Sequence, residues 1–347
     1  MAARPGGTRH ATLKDVAERA GVHAGTASRA LNPATQGLVS EATVRAVREA
    51  AKALDYRPNS MARGLKTNKT FMVGVIVPDL SNPLFPPIVR GAEEVLSRAG
   101  YTTIIADTDN DREREGESIA ALRARQVDGL LVASASRDDE AVRTAVEQGV
   151  PLVLVNRRTE SANVPTVTSD DRSGIEKALE HLVRLGHTAI GHLPGPAHLS
   201  TGLERARAFR HHMSELGGTL APELTVECST YSVDAGAVAA RTLLDQAEPT
   251  AILAGNDQIA VGVLDVLRER GLRCPEDVSV VGYNDMTFMD KLSPPLTTVR
   301  VPHAAMGAEA AQLLLRWLAE GPPAANVLTL PVELVVRGST ARPRAGG

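Results

Sequence analysis

The sequence predicts an α/β chain that carries a small all-helical module at its N-terminus, and three observations predict it. Apolar residues recur at helical spacing between Thr12 and Leu54, interrupted by a glycine-bearing turn. From Phe71 onward, short apolar runs alternate with helix-forming stretches, as repeated βα units require. The charge divides at the same place. Residues 1–69 carry 12 Lys and Arg against 5 Asp and Glu, and the remainder carries 26 against 36, so the formal −3 hides a basic end of +7 on an acidic body of −10. That is the footprint of a chain that meets a polyanion at one end only.

The 347 residues, 43% of them hydrophobic, suffice for about two or three domains. Cys228 and Cys274 give neither a disulfide framework nor metal-ligand spacing, which suits a reducing compartment. No apolar run approaches the roughly 20 residues that span a membrane. Residues 1–7 include Arg4 and Pro5 with no apolar stretch behind them, so no secretory signal is expected and a cytoplasmic location is.

In chain order, Thr12 reads as the cap of a first helix with Leu13, Val16, Ala17 and Ala20 on one face. Gly21-Val22 breaks it, and Ala24 to Leu31 forms a second, short helix. A third runs from about Glu41 to Leu54, capped by Ser40, with Val44, Val47, Ala51 and Leu54 inward. Helix, turn and helix is the unit whose second helix enters the major groove of double-stranded DNA. Thr26, Ser28, Arg29 and Asn32 offer polar groups there for base edges and phosphates, although Ser28 could back-bond within its helix and Asn32 could cap it. Residues 58–69 follow as a linker, with Met61, Ala62 and Leu65 at helical spacing among basic residues.

In the body, 71–77 is a continuous apolar run, as a strand buried on both faces needs. Strand-like runs follow at 102–106, 129–133 and 152–155, and a second series at 189–193, 251–253 and 278–281. Two such series without a long linker predict two similar lobes, each a doubly wound parallel sheet, with a cleft between them. A helix at about 304–318 is expected to return to the first lobe, and strands near Val327 and at 332–336 to close the second. Open α/β sheets bind ligands beyond the C-terminal ends of their strands. Asp79 and Asn82, Asn156 and Arg157, Asn256 and Asp257, and Asn284 and Asp285 fall there. Phe85 and Tyr231 could stack on a ring, and Arg205 stands near a helix start after the 195–202 loop. Each also has a plainer role: Asp257 as a helix cap, Arg157 as a surface group beside Arg158, Phe85 as core packing.

Catalytic chemistry is not expected. The chain lacks GxSxG, HExxH, a P-loop and GxGxxG after a strand. Asp107, Asp109 and Asp111 imitate the start of a calcium loop, but Arg112 stands at its glycine position and Ser118 at its glutamate position. No metal, cofactor or catalytic residue is therefore expected.

The strings Thr12-Leu13-Lys14-Asp15-Val16-Ala17, Ala20-Gly21-Val22, Thr26-Ala27-Ser28-Arg29-Ala30-Leu31-Asn32 and Tyr56-Arg57-Pro58-Asn59 resemble, in order and spacing, the headpiece of the lactose-repressor/purine-repressor (LacI–GalR) family. The resemblance continues through the body almost end to end. It implies a helix-turn-helix headpiece (10–57), a hinge helix (58–69) and a two-lobed core like that of periplasmic sugar-binding proteins. The lobes would span 70–168 with 300–326, and 169–299 with 327–340. It further implies DNA contacts from Thr12, His23, Ala24, Gly25, Thr26, Ser28, Arg29, Asn32, Tyr56, Asn59, Ala62 and Leu65, with Leu65 wedging into the minor groove. Family positions matching Phe85, Thr201, Arg205, Tyr231, Asn256 and Asn284 line an effector site. This chain departs from the pattern at His23, usually serine, at the small Ala24 and Gly25, and at Asn284, often aspartate. The expected function is a repressor acting as a homodimer under the control of a sugar or sugar derivative. The family's tetramers use a leucine-heptad tail, which the residues from Ala341 onward do not provide. The rival reading is a transporter's solute-binding protein without DNA binding.

Overall fold

The computed structural model describes residues 11–32, 35–56, 69–217, 220–324 and 326–344. The chain divides between Thr70 and Phe71 into two compact units. In the first, α1 (Leu13–Arg19), α2 (Ala24–Leu31) and α3 (Glu41–Ala53) pack around Val16, Ala17, Ala27, Ala30, Val47, Ala50 and Ala51. Local chemistry fixes the helix starts. Thr12 Oγ1 accepts from Asp15 N at 3.4 Å while Thr12 N donates to Asp15 Oδ2 at 2.7 Å, a capping box. Ser40 Oγ accepts from Thr43 N at 3.3 Å and caps α3. His23 caps α2 through Nδ1, which accepts from Gly25 N at 3.1 Å.

The second unit holds two sheets. The first has the order β10-β5-β4-β3-β1-β2, built from β1 (Met72–Val77), β2 (Thr102–Asp107), β3 (Gly129–Val132), β4 (Leu152–Val155), β5 (Thr166–Ser169) and β10 (Val327–Leu330), all parallel. The helices α4 (Phe85–Arg98), α5 (Arg112–Ala124) and α6 (Glu140–Glu147) connect its first four strands. The second sheet has the order β11-β9-β8-β7-β6, from β6 (Ile190–Leu193), β7 (Ala251–Ala254), β8 (Ser279–Asn284), β9 (Thr297–Arg300) and β11 (Glu333–Val335). It is parallel except for β11, which runs antiparallel to β9. Around it lie α7 (Asp171–Leu185), α8 (Ser200–Glu215), α9 (Val233–Gln246) and α10 (Asp257–Glu269). No described helix is long and apolar enough to cross a membrane.

One expected boundary needs correction. The strand at Val327 was expected in the second lobe, yet β10 pairs with β5 in the first sheet. The preceding helix, α11 (His303–Glu320), lies against α4 and the first sheet, so the next strand completes that sheet before the chain leaves it. Among the described residues, the chain passes between lobes after β5, after β9 and after β10. Three strands at one place make a hinge rather than a tether.

The α4–α11 contact shows how closely the first lobe is packed. A Cβ at Gly91 would sit 1.9 Å from Ala304 O, and one at Gly307 would sit 1.9 Å from Ile88 O. Both obstacles are backbone, so neither can move aside cheaply. Gly307→Ala should therefore destabilise the core by about 1–3 kcal/mol in denaturant unfolding. Gly116→Ala, inside α5 with its nearest neighbour Ala141 Cβ at 3.8 Å, should be neutral or slightly stabilising. Equal effects of the two would refute this account of the helix contact.

Candidate functional site

In the small unit, α2 is the second helix of the expected helix-turn-helix. Ser28, Arg29 and Asn32 are exposed, Ala24, Gly25 and Thr26 are half-buried, and Ala27 and Ala30 face the core. His23 is exposed at the start of the helix, with one ring nitrogen used as the cap. The Thr12 hydroxyl is engaged by Asp15, and Tyr56 packs beside the core while its N–H donates to Ala51 O at 2.9 Å. Asn59, Ala62 and Leu65 lie outside the described residues.

In the large unit, the polar groups at the strand ends converge on one cavity between the lobes. The first lobe contributes Asn82, Leu84 and Phe85 from the loop after β1 and the start of α4, with Asn156 and Arg157 after β4. The second contributes Thr201 and Arg205 from α8, Tyr231 before α9, Asn256 after β7 and Asn284 at the end of β8. About 20 Å³ remains open to water-sized molecules, room for about one water. Asp79 does not belong to this wall. Its carboxylate accepts from Ser81 N at 2.7 Å and Ser81 Oγ at 2.6 Å, so it closes the turn after β1 instead.

The two arginines are held differently. Arg205 is 2% exposed; its Nε donates to Asp171 Oδ1 at 3.0 Å, its Nη1 donates to Gly255 O at 2.8 Å, and its guanidinium lies 3.7 Å from the Tyr283 ring centroid. Burial opposes its charge, but Asp171, Tyr231 and Tyr283 together outweigh burial and raise its pKa. Arg157 Nη1 donates to Ser134 O at 3.0 Å, its guanidinium is 6.0 Å from the Phe85 ring, and burial pushes its pKa down to about 10. Tyr231 Oη donates to Thr201 Oγ1 at 3.1 Å. Asn256 caps α10, accepting from Ile259 N at 2.8 Å. Asp257, not the cap, is fully buried, accepts from Thr298 Oγ1 at 2.6 Å and Met286 N at 2.7 Å, and is pushed up to about 7 by burial. Asn284 is 2% exposed, and among the described residues its Oδ1 has no hydrogen-bond partner. A buried acceptor facing a cavity is well suited to a donor brought by a ligand.

The family description "Bacterial regulatory proteins, lacI family" matches residues 12–59, and "Periplasmic binding protein-like domain" matches 179–340. The chain is 32% identical to the ribose operon repressor of Halalkalibacterium halodurans over 333 residues, 95% of this chain and 97% of that protein. The chain belongs to the LacI family of bacterial regulatory proteins. As a LacI-family protein it is a DNA-binding transcriptional regulator, which excludes the rival reading of a solute-binding protein without a DNA-binding unit. Two solved structures resemble this regulator over nearly its whole length. The lac repressor dimer bound to operator and the anti-inducer ONPF has a TM-score of 0.81 at 29% identity, covering 96% of this chain and 100% of that one. The CelR–cellobiose complex has a TM-score of 0.72 at 34% identity, covering 95% and 99%.

Sequence reading missed three groups that support this regulator's cleft: Leu84 in its wall, Asp171 behind Arg205, and the Glu115–Ser134–Asp139 set behind Arg157. Only Asp171 left a trace in the sequence, as the second acid of Ser169-Asp170-Asp171 where a strand gives way to a helix. Asp171 also sets a stability test. Arg205→Ala leaves that carboxylate buried without its cation, and should cost about 3–5 kcal/mol in denaturant unfolding. Arg205→Ala combined with Asp171→Asn should recover part of the loss. A cost below about 1 kcal/mol for the single change would remove the pair from its structural role.

Proposed function

We propose that this regulator represses transcription as a cytoplasmic homodimer on a pseudo-palindromic operator, and that a sugar or sugar derivative in the interlobe cleft controls its grip on DNA. The observation that carries the reading is the chemistry of the cleft wall. Asn82, Asn156, Asn256 and Asn284 supply amides, Arg157 and Arg205 supply fixed donors, and Phe85 and Tyr231 supply ring faces. Amide and guanidinium groups suit the alternating donors and acceptors of hydroxyls, and aromatic faces suit the apolar side of a sugar ring.

Control requires that the ligand favour one arrangement of the lobes. Contacts that bridge them support this. Arg137 Nη1 donates to Ala197 O at 3.0 Å, Arg158 N donates to Ser200 Oγ at 2.8 Å, and the Arg158 guanidinium pairs with Glu204. All join the loops after β3 and β4 of the first lobe to residues 197–204 of the second. Dimerisation is supported by an apolar hollow at the β2 edge, where Leu80 and Ile105 are 44% and 45% exposed beside Val89. We assign Leu65, which lies outside the described residues, to wedge between base steps, which bends DNA and favours sequences that deform cheaply.

The test is a thermal-shift screen of ribose, cellobiose, other sugars, sugar phosphates and purines, followed by operator titrations with each binder. A bound sugar at about a hundred times its Kd should stabilise the core by about 2.7 kcal/mol and change operator affinity. If no sugar raises the Tm, or one does so without changing operator affinity, the reading fails. Separately, Leu65→Ala should weaken operator binding more than binding to random DNA, with an unchanged salt slope. Equal losses on both DNAs would leave Leu65 as a tether residue.

A further inference from the structure

Behind the first-lobe wall of the cleft, two carboxyl groups are buried against each other. Glu115 lies in the first turn of α5 and Asp139 caps α6, each 3% exposed. Asp139 Oδ2 accepts from Ser136 N at 3.0 Å and its Oδ1 accepts from Val142 N at 2.9 Å. Glu115 Oε1 accepts from the Ser134 hydroxyl, and the carbonyl of the same serine accepts from Arg157 Nη1 at 3.0 Å. Ser134 therefore links a buried acid to the arginine in the cleft wall. The charged groups facing Glu115 among the described residues are Asp139, from the start of α6, and Arg157, from the loop after β4.

Two carboxyls buried side by side do not both ionise at neutral pH. Burial, and then the charge of Asp139, push Glu115 up to about 8. Below that value Glu115 is a neutral acid. Above it, Glu115 carries a negative charge; it does not line the cavity, and it attracts the Arg157 guanidinium that does.

We propose that Glu115 is a positioning residue of the effector cleft: linked to Arg157 through Ser134, it leaves Arg157 in the cleft wall while it is neutral, and its ionisation draws Arg157 back and weakens ligand binding. The role in ligand binding rests on the cleft being the effector site; the link between Glu115 and Arg157 does not.

The link is tested without ligand, by thermal denaturation of the full chain from pH 5 to pH 9.5. Folded Glu115 keeps its proton up to about 8, whereas the ordinary acid loses it near 4.5. Its contribution to stability is thus fully present below the lower value, falls as pH rises, and is exhausted above the upper one. Glu115→Gln keeps the shape of the neutral acid and cannot ionise. The Tm of the variant minus that of wild type should rise with pH and level off above about 8. Asp257 titrates in the same window in both proteins and cancels in the difference. In an Arg157→Gln background the levelling point should move to higher pH, because the cation that favours the carboxylate is gone. A difference that is flat with pH, or a levelling point that ignores Arg157, overturns the proposal. The second arm uses the sugar with the largest Tm shift in the screen above. Wild type should bind it about tenfold more weakly at pH 9 than at pH 7, the fraction of Glu115 still protonated setting the loss, while Glu115→Gln should bind it equally at both. Equal weakening in both proteins overturns the positioning role. If no sugar binds, the effector reading fails, and the Tm difference alone decides whether Glu115 holds Arg157.

Discussion

A guanidinium as far from water as that of Arg205 is tolerable only if a carboxylate and further acceptors surround it. The second lobe gathers these from separate elements: Asp171 from the start of α7, the Gly255 carbonyl past β7, and the Tyr283 ring from β8. Each element is thereby tied to one point beside the first lobe crossing. Ser169, the last residue before that crossing, donates its hydroxyl to the same Asp171 oxygen at 3.1 Å. The ring can approach because position 174 is glycine, where a Cβ would lie 2.2 Å from Tyr283 Oη. Removing the charge would therefore loosen the sheet ends, the helix starts and the hinge entry together. The floor of the cleft follows from one buried cation.

The first lobe treats its arginine differently. Arg157 has a carbonyl at 3.0 Å and a ring at 6.0 Å, with no carboxylate among the described residues bonded to it directly. Its burial is opposed more weakly, and its pKa falls where that of Arg205 rises. One wall of the cleft is thus a rigid ion pair and the other a cation with a softer anchor. The neighbouring Arg158, on the same loop, reaches across to Glu204 on α8, one residue before Arg205. Under the proposed function, movement of that loop would couple ligand contact to lobe closure through the same few residues.

The sequence showed the architecture wherever a local pattern had a single physical reading. Continuous apolar runs such as 129–132 and 152–155 are strands because both faces are buried, and Thr12 and Ser40 begin helices because their hydroxyls satisfy open N–H groups. The strand at Val327 was assigned to the wrong lobe because its partner, β5, lies about 160 residues earlier, and nothing local records which sheet edge is open. Asn82, Asn156, Arg157, Asn256 and Asn284 line the cavity where strand-end position is legible, whereas Thr201 was named only through the family resemblance; Asp79 lies outside the wall because an aspartate after a strand serves a turn as readily as a ligand. The residues behind the wall were invisible for a related reason. Glu115 sits among other charged residues of 111–117 and looks like one more solvated acid until the fold places Asp139 and Ser134 against it.

The prevalence of asparagine in the cleft has a backbone origin with an electrostatic consequence. Asn156 has φ 69° and Asn284 has φ 111°, values that most side chains resist and asparagine tolerates, where the chain bends away from the ends of β4 and β8. Asn256 is a helix cap, another position that selects short polar side chains. Asparagine and aspartate satisfy these backbone demands about equally, so the amide is not forced by the fold. Its effect is on charge. A carboxylate at 284 would line the same cavity as Arg157 and Arg205 and would attract both guanidinium groups; the amide offers an acceptor without that pull. Asp257 and Asp285, the acids nearest this strand end, are turned to Thr298 and Met286, and to Arg300 and Arg337, rather than to the cavity. The cavity wall therefore contains two cations and no acid of its own, and the charge that balances them lies one layer behind it, at Asp171 and at the Glu115–Asp139 pair.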